Sequence, residues 1–253
     1  MVFDRRRYGA DNYVYLLADG DDGALVDPGD AAVALALAEA HHVRPRFVLH
    51  THGHPDHTGG TAEVARRLGA EVYGSGRDAA WHRPDVDLAG SSRLDLGALR
   101  LEVYEVPGHT PGSVAYAWQG RLLTGDTLFW GGAGNCRHGG DPRLLADSVL
   151  SLLPALDGAI VVHPGHDYAE ANLPFALDLD PTNAAALARL EAVREAHRRG
   201  EEPRATTLAE ERAMNPFLRA GQLVPELRRR GIPCADAREA FVALRRLRDG
   251  WRG

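Results

Sequence analysis

The segment "HTHGHPDHTGG", residues 50–60, places His50, His52, His54, Asp56 and His57 within eight positions at the end of the apolar run "RFVLH". In an extended segment residues two apart point the same way, so His52 and His54 can reach one cation together. Asp56 and His57 follow directly and can hold a second ion beside the first. Imidazole and carboxylate donors suit zinc, iron or manganese. Two ions need more donors than these four side chains supply. Three later segments offer them, each just after a strand-like run: His109 in "VPGHTPG", Asp126 in "LLTGDTLF" and His166 in "VVHPGHDY". A single histidine in a glycine-rich loop is usually a turn or capping residue, whereas a four-member cluster joined by three strand-end loops points to a metal centre. His41, His42, His82 and His197 lie in helix-like or charged surroundings and are expected at the surface. His50 and His163 precede the loops and are expected to be buried or to support ligands.

The elements that must position these side chains are short. "YVYLLA" (13–18), "GALVD" (23–27), "RFVLH" (46–50), "AEVYG", "LRLEVYEV", "SVAYAW", "RLLTG" and "AIVVH" have the composition of strands. Between them "DAAVALALAEAHH", "GTAEVARRLGA" closed by Gly69, and "DPRLLADSVLSLLPAL" read as helices. Alternating short strands and helices over about 165 residues predict a layered α/β domain, with chemistry on the loops at strand ends. From about residue 171 the texture becomes helical. "PTNAAALARLEAVREAHRRG" sets Ala184, Leu187, Leu190 and Val193 at helical spacing, and "REAFVALRRLRDG" is a second amphipathic segment. The expected organisation is a catalytic domain at 1–170 and a helical domain at 171–253.

Composition narrows the function classes. The 253 residues are 44% apolar and 25% charged, ordinary for a soluble enzyme. A net charge of −6 argues against a nucleic-acid binder, since phosphate recognition depends on Lys and Arg. Two cysteines, Cys136 and Cys234, give no disulfide framework and point to a reducing compartment. The N-terminal "MVFDRRRYGADNYVYLL" lacks the long apolar core of a signal peptide, and no apolar run is long enough to span a membrane. A cytoplasmic protein with no membrane partner is expected.

The signature H-x-H-x-D-H followed by a distant His, Asp and His resembles that of the metallo-β-lactamase superfamily. The resemblance implies a four-layer αβ/βα sandwich. It assigns His52, His54 and His109 to one metal ion and Asp56, His57 and His166 to the other, with Asp126 bridging. Asp27 in "LVDPG" matches an early aspartate that supports the ligand loop. Within the superfamily the chain is similar to glyoxalase II, the hydroxyacylglutathione hydrolases, through "DNYVYLL", "TGDTLF", "PGHDYAEANLPFA", "DPTNAAA" and "TLAEERAMNPFLR". The likeness implies that the helical C-terminal region builds part of a glutathione site. Tyr168 would contact glutathione, and Arg245 and Arg248 in "FVALRRLRDGW" would hold its glycine carboxylate. After "TGDTLF" the chain departs from the family pattern: "GGAGNCRHGGDP" puts Asn135 and Arg137 where a basic and an aromatic residue contact glutathione.

The implied chemistry is thioester hydrolysis of an S-(2-hydroxyacyl)glutathione such as S-lactoylglutathione. Two divalent ions are expected, zinc first, with iron or manganese the other candidates. A water shared between two cations titrates near neutrality, so hydroxide is available at pH 7 to attack the carbonyl. Asp126 and Asp56 would be the catalytic carboxylates, Asp56 orienting the nucleophile. The alternative is a persulfide dioxygenase of the same superfamily, with one iron held by His52, His109 and Asp126 and acting on glutathione persulfide.

Overall fold

The computed structural model describes residues 1–152 and 155–252. Its first sheet has the order β1 (Val2–Tyr8), β2 (Asn12–Asp19), β3 (Asp22–Val26), β4 (Phe47–Leu49), β5 (Glu71–Gly74), β6 (Val86–Asp87). The first three strands form an antiparallel meander; from β3 onward neighbours are parallel. Parallel neighbours need crossovers, and helices supply them. α1 (Ala31–Ala40) links β3 to β4 and is capped by Asp30, whose carboxylate accepts the Val33 N–H at 3.0 Å. α2 (Pro55–Thr58) and α3 (Thr61–Leu68) link β4 to β5, and α3 ends at Gly69 with φ 70°.

The second sheet runs in the order β14, β13, β10, β9, β8, β7. β7 (Arg93–Leu96), β8 (Leu99–Glu105), β9 (Val114–Trp118) and β10 (Arg121–Gly125) are antiparallel, β13 (Val161–Pro164) lies parallel to β10, and β14 (Thr206–Thr207) closes the edge. A small hairpin of β11 (Leu128–Phe129) and β12 (Gly132–Ala133) follows β10. Strand alternation explains the layering. On β2, Tyr13, Tyr15 and Leu17 share a buried cluster with Leu101, Val103, Tyr116 and Leu122 of the second sheet. Val14 and Leu16 point the other way, into a cluster with Ala34 and Leu37 of α1 and Val64 of α3. Two sheets back to back with helices outside them make the αβ/βα sandwich.

α4 (Pro142–Asp147) continues as a π-helical turn over Ser148–Leu152; Leu153 and Pro154 of the expected helix "DPRLLADSVLSLLPAL" lie outside the described residues. The C-terminal part contains α5 (Ala169–Leu179), α6 (Ala184–Arg198), α7 (Leu208–Met214), α8 (Val224–Arg229) and α9 (Ala237–Gly250). Asn183, Thr207 and Asp236 cap three of them through side-chain oxygens. Leu173, Phe175, Phe217 and Phe241 belong to the same buried cluster as Leu122 and Val162, so the helices share the core of the sandwich. α5 itself runs across residues 170 and 171.

Several expectations need correction. The buried stripe of α6 is Ala186, Arg189, Leu190, Val193 and Ala196, not one that includes Ala184 and Leu187; Leu187 is 48% exposed. Arg189 occupies an inner position because its guanidinium packs over the Trp130 ring and donates to the Arg204 carbonyl at 2.6 Å. β1 was invisible in "VFDRRRY" because its arginines read as polar, yet Arg5 stacks on Tyr13 and Trp130. His197 is not a plain surface residue: its two ring nitrogens bond Asp167 and Glu170, each at 2.9 Å. His82 is half-buried, edge-on to His50 at 4.3 Å between ring centres. No helix among the described residues is long and apolar enough to cross a membrane.

Candidate metal centre and adjoining cleft

The seven expected ligands converge from four segments at one edge of the two sheets. β4 delivers His52 and His54, the one-turn helix α2 carries Asp56 and His57, and the turns after β8, β10 and β13 carry His109, Asp126 and His166. Donor atoms of His52, His54 and His109 lie within 4.8 Å of one another, as do those of Asp56, His57 and His166. Asp126 stands between the groups: Oδ2 is 3.4 Å from His109 Nε2 and 3.4 Å from His166 Nε2, and Oδ1 is 3.4 Å from His57 Nε2. A third grouping, Asp27 with His52 and His57, is also within reach. The Asp27 oxygens, however, already accept the Thr51 N–H at 2.8 Å, the Thr51 hydroxyl at 2.6 Å and the His57 Nδ1 contact at 3.1 Å.

Each ring is aimed from behind. His57 Nδ1 lies against Asp27, His166 Nδ1 against Asp11 Oδ1 at 2.8 Å, and His109 Nδ1 against the Asn135 carbonyl at 2.7 Å. His52 Nδ1 meets the Thr51 hydroxyl at 3.1 Å, while His54 is turned the other way, its Nε2 toward the His138 carbonyl at 3.2 Å. Such outer partners fix which ring nitrogen is free to ligate. Asp27 has φ 53°, a left-handed conformation uncommon outside glycine, which the three bonds to its carboxylate help to hold.

The donor set fits divalent cations. His52 Nε2 and Asp126 Oδ1 are buried with no hydrogen-bond partner. Ring nitrogens face each other in two pairs, His109 Nε2 to His54 Nδ1 at 3.0 Å and His57 Nε2 to His166 Nε2 at 3.1 Å. Lone pairs so directed, beside carboxylates, call for positive charge between them. Without cations, protons must serve. Burial opposes charge on His57 and His166, yet Asp126 leads the groups that outweigh it and raise both. Burial likewise opposes the Asp126 carboxylate, but His166 and His57 hold it well below the usual range. Burial, with His57 next, pushes His52 well down.

Sequence reasoning missed three supports. Asp11 begins the run that becomes β2, with no signal beyond its place before an apolar stretch. Asn12 donates to Asp56 Oδ2 at 3.2 Å. Asp78 is buried and accepts the Gly53 N–H at 2.9 Å, the Thr110 hydroxyl at 2.7 Å and the Gly112 N–H at 2.8 Å, stitching the His52–His54 loop to the His109 loop. Nothing in "GSGRDAAW" marks it, because its partners, two backbone N–H groups and one hydroxyl, are distant in the chain.

Beside the Asp56–His57–His166 group lies a cleft of about 270 Å³ lined by Phe129, Asn135, Arg137, Tyr168, Arg245 and Arg248, among others. Tyr168 stacks on the His166 ring, centres 4.7 Å apart and planes 8° apart, and burial pushes its phenol up to about 12, so it stays a hydrogen-bond donor at neutral pH. The expected pair of carboxylate-binding arginines divides. Arg248 is half-buried, makes only 3.3 Å contacts to the Ala171 carbonyl and Asn172 Oδ1, and keeps an unpartnered Nε. Arg245 is buried in the cleft wall and donates to the carbonyls of Ala133 and Gly134 and to Asp249. Arg137 donates to the Asp249 carbonyl at 2.5 Å, and Asn135 Oδ1 accepts the Arg137 N–H at 3.0 Å. Larger hollows, about 600 and 550 Å³, lie over the C-terminal helices and contain none of the ligand residues.

Comparison with known proteins matches this geometry. The profile of the metallo-beta-lactamase superfamily fits residues 8–166, and that of the hydroxyacylglutathione hydrolase C-terminus fits residues 167–251. A hydroxyacylglutathione hydrolase of Anaeromyxobacter dehalogenans (strain 2CP-C) is 64% identical over 98% of this chain and 99% of its own. One from Halorhodospira halophila (strain DSM 244 / SL1) is 42% identical over 95% of each chain. Among solved structures, ETHE1 from Myxococcus xanthus superposes with a TM-score of 0.71 at 25% identity, covering 97% of this chain and 90% of that one. TTHA1623 in a di-iron-bound form gives a TM-score of 0.59 at 27% identity over 81% of this chain and 94% of its own.

Proposed function

Because the chain belongs to the hydroxyacylglutathione hydrolases of the metallo-β-lactamase superfamily, we propose that it hydrolyses S-(2-hydroxyacyl)glutathione, such as S-lactoylglutathione, to glutathione and a 2-hydroxy acid. The observation that carries the reading is Asp126, equidistant at 3.4 Å from a histidine of each ligand group, next to a cleft with an available arginine. His52, His54 and His109 would hold one divalent ion, Asp56, His57 and His166 a second, and Asp126 would touch both. We assign zinc to these positions first, then iron or manganese. When bound, such ions make a water acidic enough to be nucleophilic at neutral pH and polarise a carbonyl oxygen.

The chain's own residues do the rest. Asp27, Asp11 and the Asn135 carbonyl orient imidazoles so that their Nε2 atoms face inward. Asp56, with 51% of its side chain exposed and one oxygen fixed by Asn12, can aim the attacking water. A thiolate is a good leaving group, its conjugate acid ordinarily titrating near 8.5, so no strong general acid is required. Tyr168 and Phe129 wall the cleft on the His166 side, and Arg248, with Asn135 and Arg137 nearby, suits the glycine carboxylate of glutathione. Residues 171–253 act in this reading as the helical substrate-binding part, and the partner is a small thioester in the cytoplasm.

A mononuclear iron dioxygenase leaves Asp56, His57 and His166 without a task, which disfavours it. The deciding experiment assays the purified protein with S-lactoylglutathione and with glutathione persulfide, aerobically and anaerobically, with metal content measured in parallel. Thioester hydrolysis is expected to proceed without oxygen, thiol appearing in step with acid. Oxygen uptake on the persulfide with no thioesterase activity would replace this reading.

A further inference from the structure

We propose that Trp81 and His138 form an aromatic acyl subsite on the opposite side of the metal centre from the cleft, and that it favours a 2-hydroxyacyl group bearing an aromatic ring over a small aliphatic one. The inference rests on the thioesterase reading above and concerns the half of the substrate that the cleft does not hold. The Trp81 ring stands edge-on to the His54 ring, centres 5.0 Å apart and planes at 79°. The exposed His138 ring meets His54 at 6.1 Å and 90°, and the His138 carbonyl takes the His54 Nε2 contact at 3.2 Å. Trp81 keeps 37% of its surface exposed, whereas Trp118 and Trp130 are buried in the core and Trp251 lines the cleft.

The indole is fixed in place. The Trp81 N–H donates to the Asp78 carbonyl at 2.9 Å, and the Asp78 carboxylate holds the Gly53 and Gly112 N–H groups of two ligand loops at 2.9 and 2.8 Å. On its other side the 136–140 loop runs so close that a Cβ on Gly139 would lie 2.7 Å from Trp81 Cη2, and a φ of 84° there also favours glycine. A large apolar ring held this firmly, yet left partly in water, keeps apolar area for a ligand to cover. Its place gives the direction. Tyr168 stacks on His166 of one ligand group, Trp81 abuts His54 of the other, and Asp126 lies between the groups. With a thioester carbonyl above Asp126 and the thiol half in the Tyr168 cleft, the acyl half turns away from the cleft, toward His54 and Trp81. A methyl substituent covers little of an indole. A phenyl ring can stack on its face or meet its edge, an arrangement that contributes beyond the area buried.

The test measures binding first and turnover second, in the full metal-loaded chain. Calorimetric titrations with lactate and with mandelate, product acids carrying a methyl and a phenyl substituent, compare wild type, Trp81→Phe, Trp81→Ala and Arg248→Met. Wild type is expected to bind mandelate more tightly than lactate by roughly three- to tenfold, the range for an aromatic pair. Trp81→Phe should keep most of that ratio, Trp81→Ala should bring it close to unity, and Arg248→Met, on the other side of the centre, should leave it alone. The kcat/KM ratio for S-mandeloylglutathione over S-lactoylglutathione should move in the same sense, with metal content unchanged. If Trp81→Ala does not fold, Trp81→Leu, apolar but without a ring, should lose most of the ratio. A wild type with no preference for mandelate, or a preference that survives Trp81→Ala, would overturn the proposal, and so would loss of metal along with the ratio, which would make Trp81 a support for His54 instead. Because the titrations involve no thioester, the expected ratios in a chain that hydrolyses neither thioester would sink the proposed substrate and leave the subsite standing. Hydrolysis with an unchanged ratio in Trp81→Ala would sink the subsite alone.

Discussion

The ligand cluster and the cleft beside it are built on different plans. In the cluster, short side chains stand on turns at strand ends, and five imidazoles are each braced from behind by an acceptor, at distances from 2.7 to 3.2 Å. In the cleft, long side chains from the 133–137 loop, the turn before α5 and the end of α9 converge, and Arg248 makes only 3.3 Å contacts. A centre that must hold reacting atoms in place gains from rigid elements and a complete outer shell. A cleft that grips a flexible peptide-like thiol needs charge at the right place and tolerates looser fixing. Chemistry and recognition should therefore fail separately when mutated.

Asp126→Ala offers the sharpest attempt to break that division and the largest expected effect. It removes the one carboxylate shared by the two groups, leaving His57 and His166 with Asp56 alone at their Nε2 atoms and taking from His109 the carboxylate beside its Nε2. The expected outcome is a fall in kcat/KM on the order of 10³-fold or more, roughly 4 kcal/mol of transition-state stabilisation, with KM little altered at saturating metal. Metal content by elemental analysis should drop below two per chain. Retention of near-normal activity would show that the groups do not work as a pair.

Arg248→Met probes the other side. A charge-assisted hydrogen bond to a carboxylate contributes about 1.5–3 kcal/mol, so KM for S-lactoylglutathione should rise by roughly 10- to 100-fold while kcat changes little. A thioester lacking the glycine carboxylate should not distinguish mutant from wild type. Equal KM values for both proteins on the full substrate would leave Arg248 as surface charge and move the carboxylate contact to Arg137.

The two regions also differ in how much their sequence discloses. Four of the ligands occupy one segment, and the others follow strand-like runs, because metal donors come from a few residue types, here His and Asp, set where the backbone turns. The sandwich was legible for the same reason: "YVYLLA" and "LRLEVYEV" alternate as half-buried strands must. The supports were not legible. Asp78 serves two loops through backbone N–H groups, which leave no mark on the residues they belong to. β1 hid behind arginines, two of which, Arg5 and Arg7, lay their guanidinium groups over aromatic rings. Arg245 and Arg248 look interchangeable at a spacing of three, and only burial and the carbonyls of Ala133 and Gly134 separate them. Local chemistry is written in residue types, whereas a supporting role depends on contacts with segments far away in the chain.

His163 gives the smallest expected effect and a control for the whole comparison, since it is a buried histidine belonging to neither region. It stands on β13 with its ring against Phe3 at 4.6 Å and Tyr15 at 5.7 Å, and its Nδ1 has no hydrogen-bond partner. Burial, reinforced by Arg5 and Arg121, pushes its pKa down to about 3. The unfolded chain takes up that proton near pH 6.5, whereas the folded chain refuses it until far lower pH. Stability from this residue is thus complete above about pH 6.5 and is lost as pH falls from there toward 3, at no more than about 1.4 kcal/mol per pH unit. In His163→Phe, which keeps a ring in the aromatic pocket, that loss is absent. Melting temperatures followed from pH 7.5 to 5.5 should therefore fall less for the mutant, by roughly 2–4 °C at the acid end for about 1 kcal/mol in a protein of this size. The thioesterase rate at pH 7.5 should not respond. Parallel curves for mutant and wild type would mean that the proton is accommodated at His163 in the folded state, and a lowered rate at pH 7.5 would mean that the packing behind β13 reaches His166.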